Sequence, residues 1–329
     1  MRLRVQSNLQ DSLRRVLLVV LAWCVSLGTA HSQSVGFDRL EPSATGPQFS
    51  EVAVWYPSIS AAHHRVGLHG QKVAYKGLPD GEHLPLVVVS FGGDTVLWSH
   101  TDTAWALASA GFVVAVTALR DDTPLGRTGM SEELDRFGAI SQVIDHLAIH
   151  WRFDIVAADR VGVFGFASGA VPALVTVGAR LDLAAVSARR LRDDRVRSAA
   201  IVAPALEGAM SLERLNDVIV PLQLWEAEFD RMTTAPHAQI IESSLLLSVD
   251  YRLVRGAGHF DFLAPCDENL ASLAPGLCVE ASGFRRSIFH SVFNHEIVRF
   301  FQRTLRDGGP WRADRQKYSG PKSCVVRHR

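Results

Sequence analysis

The chain has 329 residues, 34 basic and 34 acidic side chains, no formal net charge and a hydrophobic fraction of 47%. That length buries a sizeable core as one large domain or two small ones. The charge balance excludes a nucleic-acid or anionic-membrane footprint, which needs a basic excess, and leaves small molecules or other proteins as partners.

The first thirty or so residues stand apart from the fold. Arg2, Arg4, Arg14 and Arg15 precede an apolar run from Val16 to Val25, and Gly28, Thr29 and Ala30 supply small residues beyond it. A basic stretch, a short apolar run and a small-residue exit describe a secretory signal peptide over residues 1–30, cut after Ala30 or after Ser32. A membrane anchor is the competing reading, but the run falls well short of the ~20 residues that span a bilayer. Bulky Trp23 argues against lipid attachment at Cys24. The expected mature protein is exported, periplasmic or secreted, with no membrane span.

From Phe37 to Leu305 short β-rich runs alternate with helical ones. Glu51 to Tyr56 alternates like a half-buried strand, and Leu84 to Ser90 is the continuous apolar run of a strand covered on both faces. Gly92 and Gly93 end it. Thr101 to Gly111 reads as a helix capped by Thr101 or Asp102, with Gly111 at its exit. Phe112 to Thr117 is a second buried strand, and Ser131 to His150 has helical spacing at Ile140, Val143, Ile144 and Leu147. Arg160 to Phe164 is a strand that turns at Gly165 into an apolar helix, Ala170 to Ala179. Later strands are Ala199 to Ala203, Leu222 to Trp225 and, last, Tyr251 to Val254. Ile288 to Leu305 closes the domain as an amphipathic helix, with Phe289, Val292, Phe293, Ile297, Phe300 and Phe301 on its apolar side. This alternation predicts an α/β fold, a mostly parallel central sheet with helices on both faces. Leu181 to Arg197 is the expected inserted or cap-like segment, and residues 306–329 are expected to be a disordered tail.

Cys266 and Cys278 bracket a short segment containing Pro275 and Gly276, which suits a disulfide-closed loop in an oxidising compartment. Two free buried thiols are the competing reading. No CxxC pair or clustered histidine suggests a metal site. Cys324 lies in the polar tail.

Ligands of open parallel sheets bind beyond the carboxyl ends of the strands. Three positions fall there in the order nucleophile, acid, base. That order belongs to α/β-hydrolases, whose nucleophile sits in G-x-S-x-G on a strained strand-to-helix turn. His259, in Gly256-Ala257-Gly258-His259-Phe260 after the last strand, is the candidate general base. Asp230, beyond the strand ending near Trp225, is the candidate acid that fixes the His259 tautomer; Glu226 and Glu228 are its rivals. The remaining histidines, His63, His64 and His290 among them, lack such a context.

At Gly165-Phe166-Ala167-Ser168-Gly169 the pattern breaks, because the nucleophile position is Ala167 and the serine follows it. A one-residue shift rotates a side chain about 100° around a helix, so the Ser168 hydroxyl reaches the site only if the elbow is rebuilt. The Ser168 backbone N–H occupies an oxyanion-hole position, and Gly92 and Gly93 are placed to complete it.

Together these motifs resemble the secreted "predicted dienelactone hydrolase" group, related to platelet-activating-factor acetylhydrolases within the α/β-hydrolase fold. The resemblance runs from about Glu51 to Leu305. Its markers are Glu51 to Pro57, Leu86 to Ser90, the elbow, Pro221 to Trp225 and Gly256 to Phe260. To these add Cys266 through Cys278, then Gly283-Phe284-Arg285-Arg286, Phe289-His290 and the helix from Asn294 to Phe301. The family implies hydrolysis of carboxylic esters or lactones by a Ser–Asp–His triad without metal or organic cofactor. Carried onto this chain, Asp230 and His259 match and the serine does not. Where members usually read Gly-x-Ser-Ala-Gly-Gly, alanine and serine are exchanged here, and the last glycine is Ala170. The usual Ser-His-Gly reads Ser90-Phe91-Gly92, and an expected His-Pro-Gly reads Ala118-Leu119-Arg120. Two readings follow. One is a degenerate hydrolase that binds an ester, lactone or other hydrophobic ligand, or a partner, without efficient turnover. The other is an active serine esterase using Ser168 with His259 and Asp230.

Overall fold

A computed structural model describes residues 34–40, 51–67, 70–91, 97–118, 130–152, 154–180, 191–206, 212–233, 236–280, 283–306 and 326–328. The strands are β1 (Ser34–Leu40), β2 (Val52–Ser58), β3 (His64–Val66), β4 (Gln71–Tyr75), β5 (Leu84–Phe91) and β6 (Val113–Ala118). They continue with β7 (Val156–Phe166), β8 (Val196–Val202), β9 (Leu222–Ala227), β10 (Asp250–Val254) and β11 (Val326–His328). They join in the order β11-β10-β9-β8-β7-β5-β6-β2-β1-β4-β3. The run from β6 through β10 is parallel, and β2 and β11 join its two ends antiparallel. The sheet is thus mostly parallel, as the alternation of elements predicted.

The contiguous apolar runs are explained by cover on both sides. Leu86, Val87, Val88 and Val89 are all fully buried, each contributing roughly 1.5–3 kcal/mol of transfer free energy. Leu86 and Val88 join a core under α2 (Met130–Ile149), α3 (Ala170–Thr176) and α4 (His237–Ser244). Val87 and Val89 join the opposite core, under α1 (Thr101–Ser109) and α6 (Arg286–Leu305). The remaining helix is α5 (Glu268–Leu273).

Three local expectations are corrected. β2 is buried along its whole length rather than on one face, because Trp55 fills one core and Tyr56 the other. Neither Thr101 nor Asp102 caps α1: His100 is the N-cap and its side chain makes no capping bond. β10 is not the last strand, since Val326–His328 of the expected disordered tail pair antiparallel with it. Residues 1–33, 181–190, most of the expected inserted segment, and 307–325 lie outside the described residues. Among the described residues no helix is long and apolar enough to cross a membrane. Cys266 and Cys278 form a disulfide with Cα atoms 5.7 Å apart.

Candidate functional site

The strand order places the ends of β5 and β7 side by side, with Ser90 opposite Gly165 and Phe91 opposite Phe166. β7 then turns sharply. Ala167 has φ +51°, a left-handed conformation that costs an L-residue on the order of 1–3 kcal/mol and marks the strained apex of the turn. The two glycines fix that apex. A Cβ on Gly165 would stand 2.8 Å from Ala170 Cα and from Ala173 Cβ, and one on Gly169 would land on the Ser90 carbonyl oxygen. Neither glycine tolerates a side chain, so the register of the elbow is set by close backbone packing. The residue at its apex is Ala167, whose carbonyl accepts from Ala205 N at 3.0 Å.

Ser168 follows on a 3₁₀ turn, Ala167–Gly169, which rotates it about 120° from Ala167. Its side chain is partly exposed, and no hydrogen bond joins its hydroxyl to His259 among the described residues. Its backbone N–H lies at the head of α3, where first-turn amides lack intrahelical partners. Gly92 and Gly93, the other expected oxyanion-hole residues, lie outside the described residues, as do Leu119 and Arg120.

Beyond β9 the chain folds back on β10: Glu228 N donates to Val254 O and Phe229 N to Ala257 O. This carries Asp230 past the sheet edge to the turn after β10. Asp230 Oδ2 lies 2.8 Å from His259 Nδ1, and its Oδ1 accepts from Met232 N at 2.9 Å and Thr233 N at 3.3 Å. His259 therefore donates from Nδ1 and keeps its Nε2 lone pair for another proton, the tautomer a general base requires. The ring is 7% exposed and stands 5.0 Å from Phe166 and 5.3 Å from Phe260 between centroids. The rivals of Asp230 are committed elsewhere. Glu226 accepts from Gln239, and Glu228 from Arg255 and Gly256 N.

The turn that carries His259 is itself braced. Asp261, fully buried, accepts from Gly258 N at 2.8 Å and faces the guanidinium of Arg286 at 3.4 Å. Arg286 also donates to the carbonyls of Leu277 and Val279, at the end of the disulfide loop. His290, left without a role by sequence reasoning, is buried with Nδ1 2.5 Å from Asp102 and Nε2 3.0 Å from the Asp261 carbonyl. No local signal marks this second histidine–aspartate pair, whose members are 188 residues apart. His100 was also missed. It is fully buried, ringed by Phe91, Phe164 and Phe166, and neither ring nitrogen has a partner among the described residues. Burial first, and His290 after it, push His100 down to about 3 against the opposing pull of Asp102.

Beside Asp230 a cleft of about 240 Å³ opens between Ala203, Pro204, Glu226, Glu228, Thr233 and His237. The site thus combines an alanine at the strained apex, a carboxylate–imidazole pair and an adjacent polar cavity.

No family model matches the chain, and no curated protein matches it. Among solved structures it is similar to a ferulic acid esterase from Streptomyces cinnamoneus, with a TM-score of 0.64 over 91% of this chain and 98% of that one. The two are 21% identical in sequence. The shared architecture, with the mostly parallel sheet described above, is an α/β-hydrolase-like fold.

Proposed function

We propose that this chain is an exported α/β-hydrolase-family protein of carboxylic-ester or lactone hydrolase type that binds its ligand without efficient turnover. The observation that carries the reading is the left-handed φ of +51° at Ala167, framed by Gly165 and Gly169. That strained residue is the one whose side chain a hydrolase elbow presents to the substrate, and here it ends at a methyl group. Asp230 and His259 keep the relationship of acid and base, so the machinery to activate a hydroxyl is present without the hydroxyl. Likeness in fold to an esterase supports an ester-like or lactone-like ligand class. The Cys266–Cys278 bridge and the signal-like residues 1–30 support export.

Loss of a triad nucleophile costs about 10⁶ in rate, which leaves only oxyanion and binding contributions. On a short activated ester the wild type is expected to run near background, and Ser168→Ala to leave it unchanged. Ala167→Ser is expected to raise the rate by about 10³ or more, restoring part of that loss. Wild-type turnover that disappears in Ser168→Ala would instead assign the nucleophile to Ser168 and overturn the reading.

A further inference from the structure

Asp230 and His259 reach each other from separately held segments. Asp230 is fixed from β9, by Phe229 N on Ala257 O at 2.8 Å and by its own Oδ1 under Met232 N and Thr233 N. His259 opens a 3₁₀ turn, His259–Phe262, in which Asp261 N donates to Gly258 O and Leu263 N to Phe260 O. Neither bond uses the carbonyl of Asp261, two residues past the ring, and a carbonyl in a buried residue needs a donor. That donor is His290 Nε2 on α6, at 3.0 Å.

A ring that donates to this carbonyl and faces a carboxylate on its other side donates at both nitrogens. Its aim is set in turn. Asp102 Oδ2 meets His290 Nδ1 at 2.5 Å and accepts from Asn294 Nδ2 at 2.7 Å, while Thr103 Oγ1 donates to Asn294 Oδ1 at 2.7 Å. An amide oxygen only accepts and an amide nitrogen only donates, so every group from Thr103 to the Asp261 carbonyl has a determined orientation. Ala264 N, donating to Ser99 O at 2.8 Å, ties the end of the same turn to the segment that enters α1.

We infer that His290, aimed by Asp102, is a positioning residue for His259, holding its turn where the ring meets Asp230 at 2.8 Å. It acts through the Asp261 carbonyl and touches no reacting group. The margin is narrow. A displacement of about 1 Å takes such a contact out of hydrogen-bond range, and misplacement on that scale costs about 10² in rate. The inference deepens the function proposed above and rests on its reading of His259 as the base.

NMR of the full chain with ¹⁵N-labelled histidine tests it through the Nδ1 proton shared with Asp230, assigned by its loss in His259→Gln. In the wild type that proton is expected far downfield and slow to exchange with water. His290→Gln is expected to accelerate its exchange about tenfold or more, by letting the turn open locally, and to mix the two His259 tautomers. Asp102→Asn should act in the same direction, and Asp102→Glu, which keeps the charge, should retain more of the wild-type signal. Val143→Ala, in the core across the sheet, destabilises without touching the turn and is expected to leave the signal unchanged. Should His290→Gln not fold, Asp102→Asn carries the comparison. An unchanged His259 signal in the folded variants, or equal acceleration in Val143→Ala, would overturn the inference. Where Ala167→Ser is active, adding His290→Gln is expected to lower kcat about a hundredfold with KM little changed. The spectrum itself needs no turnover. An active Ala167→Ser whose His259 proton ignores His290→Gln removes the positioning role and leaves the hydrolase reading standing. A disturbed proton with an inactive Ala167→Ser does the reverse.

Discussion

His290 stands 2.5 Å from Asp102, and its other ring nitrogen lies 3.0 Å from the carbonyl of Asp261. A carbonyl only accepts, so His290 donates from Nε2 as well as towards Asp102. The pair ties the first turn of α1 to α6 and, through Asp261, to the turn that carries His259. Burial alone would raise Asp102; the charge of His290 and the donors of His290 and Asn294 outweigh it and hold the carboxyl at about 2.

Asp102→Asn is therefore expected to cost about 1–3 kcal/mol, as losing a part-buried charged hydrogen-bond partner does. Because the folded-state value is depressed, the stabilisation is full above the unfolded carboxylate's value near 4. It is lost as pH falls from there through about 2. Urea titrations at several values between pH 5 and pH 2 check this. The variant should lack that part of the wild type's acid slope, and an unchanged slope would remove the pair from the account.

His100 acts in a different window. Between about 3 and the unfolded histidine's value near 6.5, the unfolded chain takes up a proton that the buried ring refuses. Stability therefore falls as pH drops through that range. His100→Leu is expected to flatten the slope between pH 6.5 and pH 4. Removal of two unpartnered buried nitrogens is expected to raise stability at pH 7 by about 1–2 kcal/mol. A destabilised His100→Leu at pH 7, measured by the same urea titrations, would mean that the ring's packing against three phenylalanines outweighs its unmet polarity.

The elbow makes opposite demands at adjacent positions. Ala167→Gly relieves a left-handed Cβ and is expected to stabilise by about 1 kcal/mol. Gly169→Ala pushes a methyl into the Ser90 carbonyl and is expected to cost about 3 kcal/mol. Thermal melts of the two variants should move in opposite directions. A neutral Gly169→Ala would show that β5 and the elbow are not in close contact.

Reduction of Cys266–Cys278, or the double change to serine, opens a loop with a separation of 12 residues and should cost about 3 kcal/mol. Arg286 binds the end of that loop and also Asp261. Hydrogen exchange should therefore accelerate at residues 258–262, not only at 266–278. Protection unchanged around His259 would show the two segments to be mechanically independent.

Much of the fold was legible because a buried parallel strand must be apolar on both faces, which leaves runs such as Leu86 to Val89 plain in the text. β2 misled because Glu51, just before the strand, imitated a polar position of an alternating run, while Trp55 and Tyr56 face opposite cores. Asp230 and His259 were legible because each follows its own strand, so chain order stood in for distance. Asp102 and His290 meet across nearly the whole domain, and His237 belongs to a short helix of mixed composition. Neither carries a local mark. The capping expectation at Thr101 and Asp102 failed because Asp102 turns its carboxyl to α6 rather than to its own helix.

The left-handed alanine has a consequence in the language of genes. Every alanine codon becomes a serine codon by changing its first base from G to T, so Ala167→Ser is a single point mutation away. A random library of this gene contains that variant at appreciable frequency. Selection on an ester substrate would therefore sample a hydroxyl at the elbow, and so test the proposed function, without any other change in the chain.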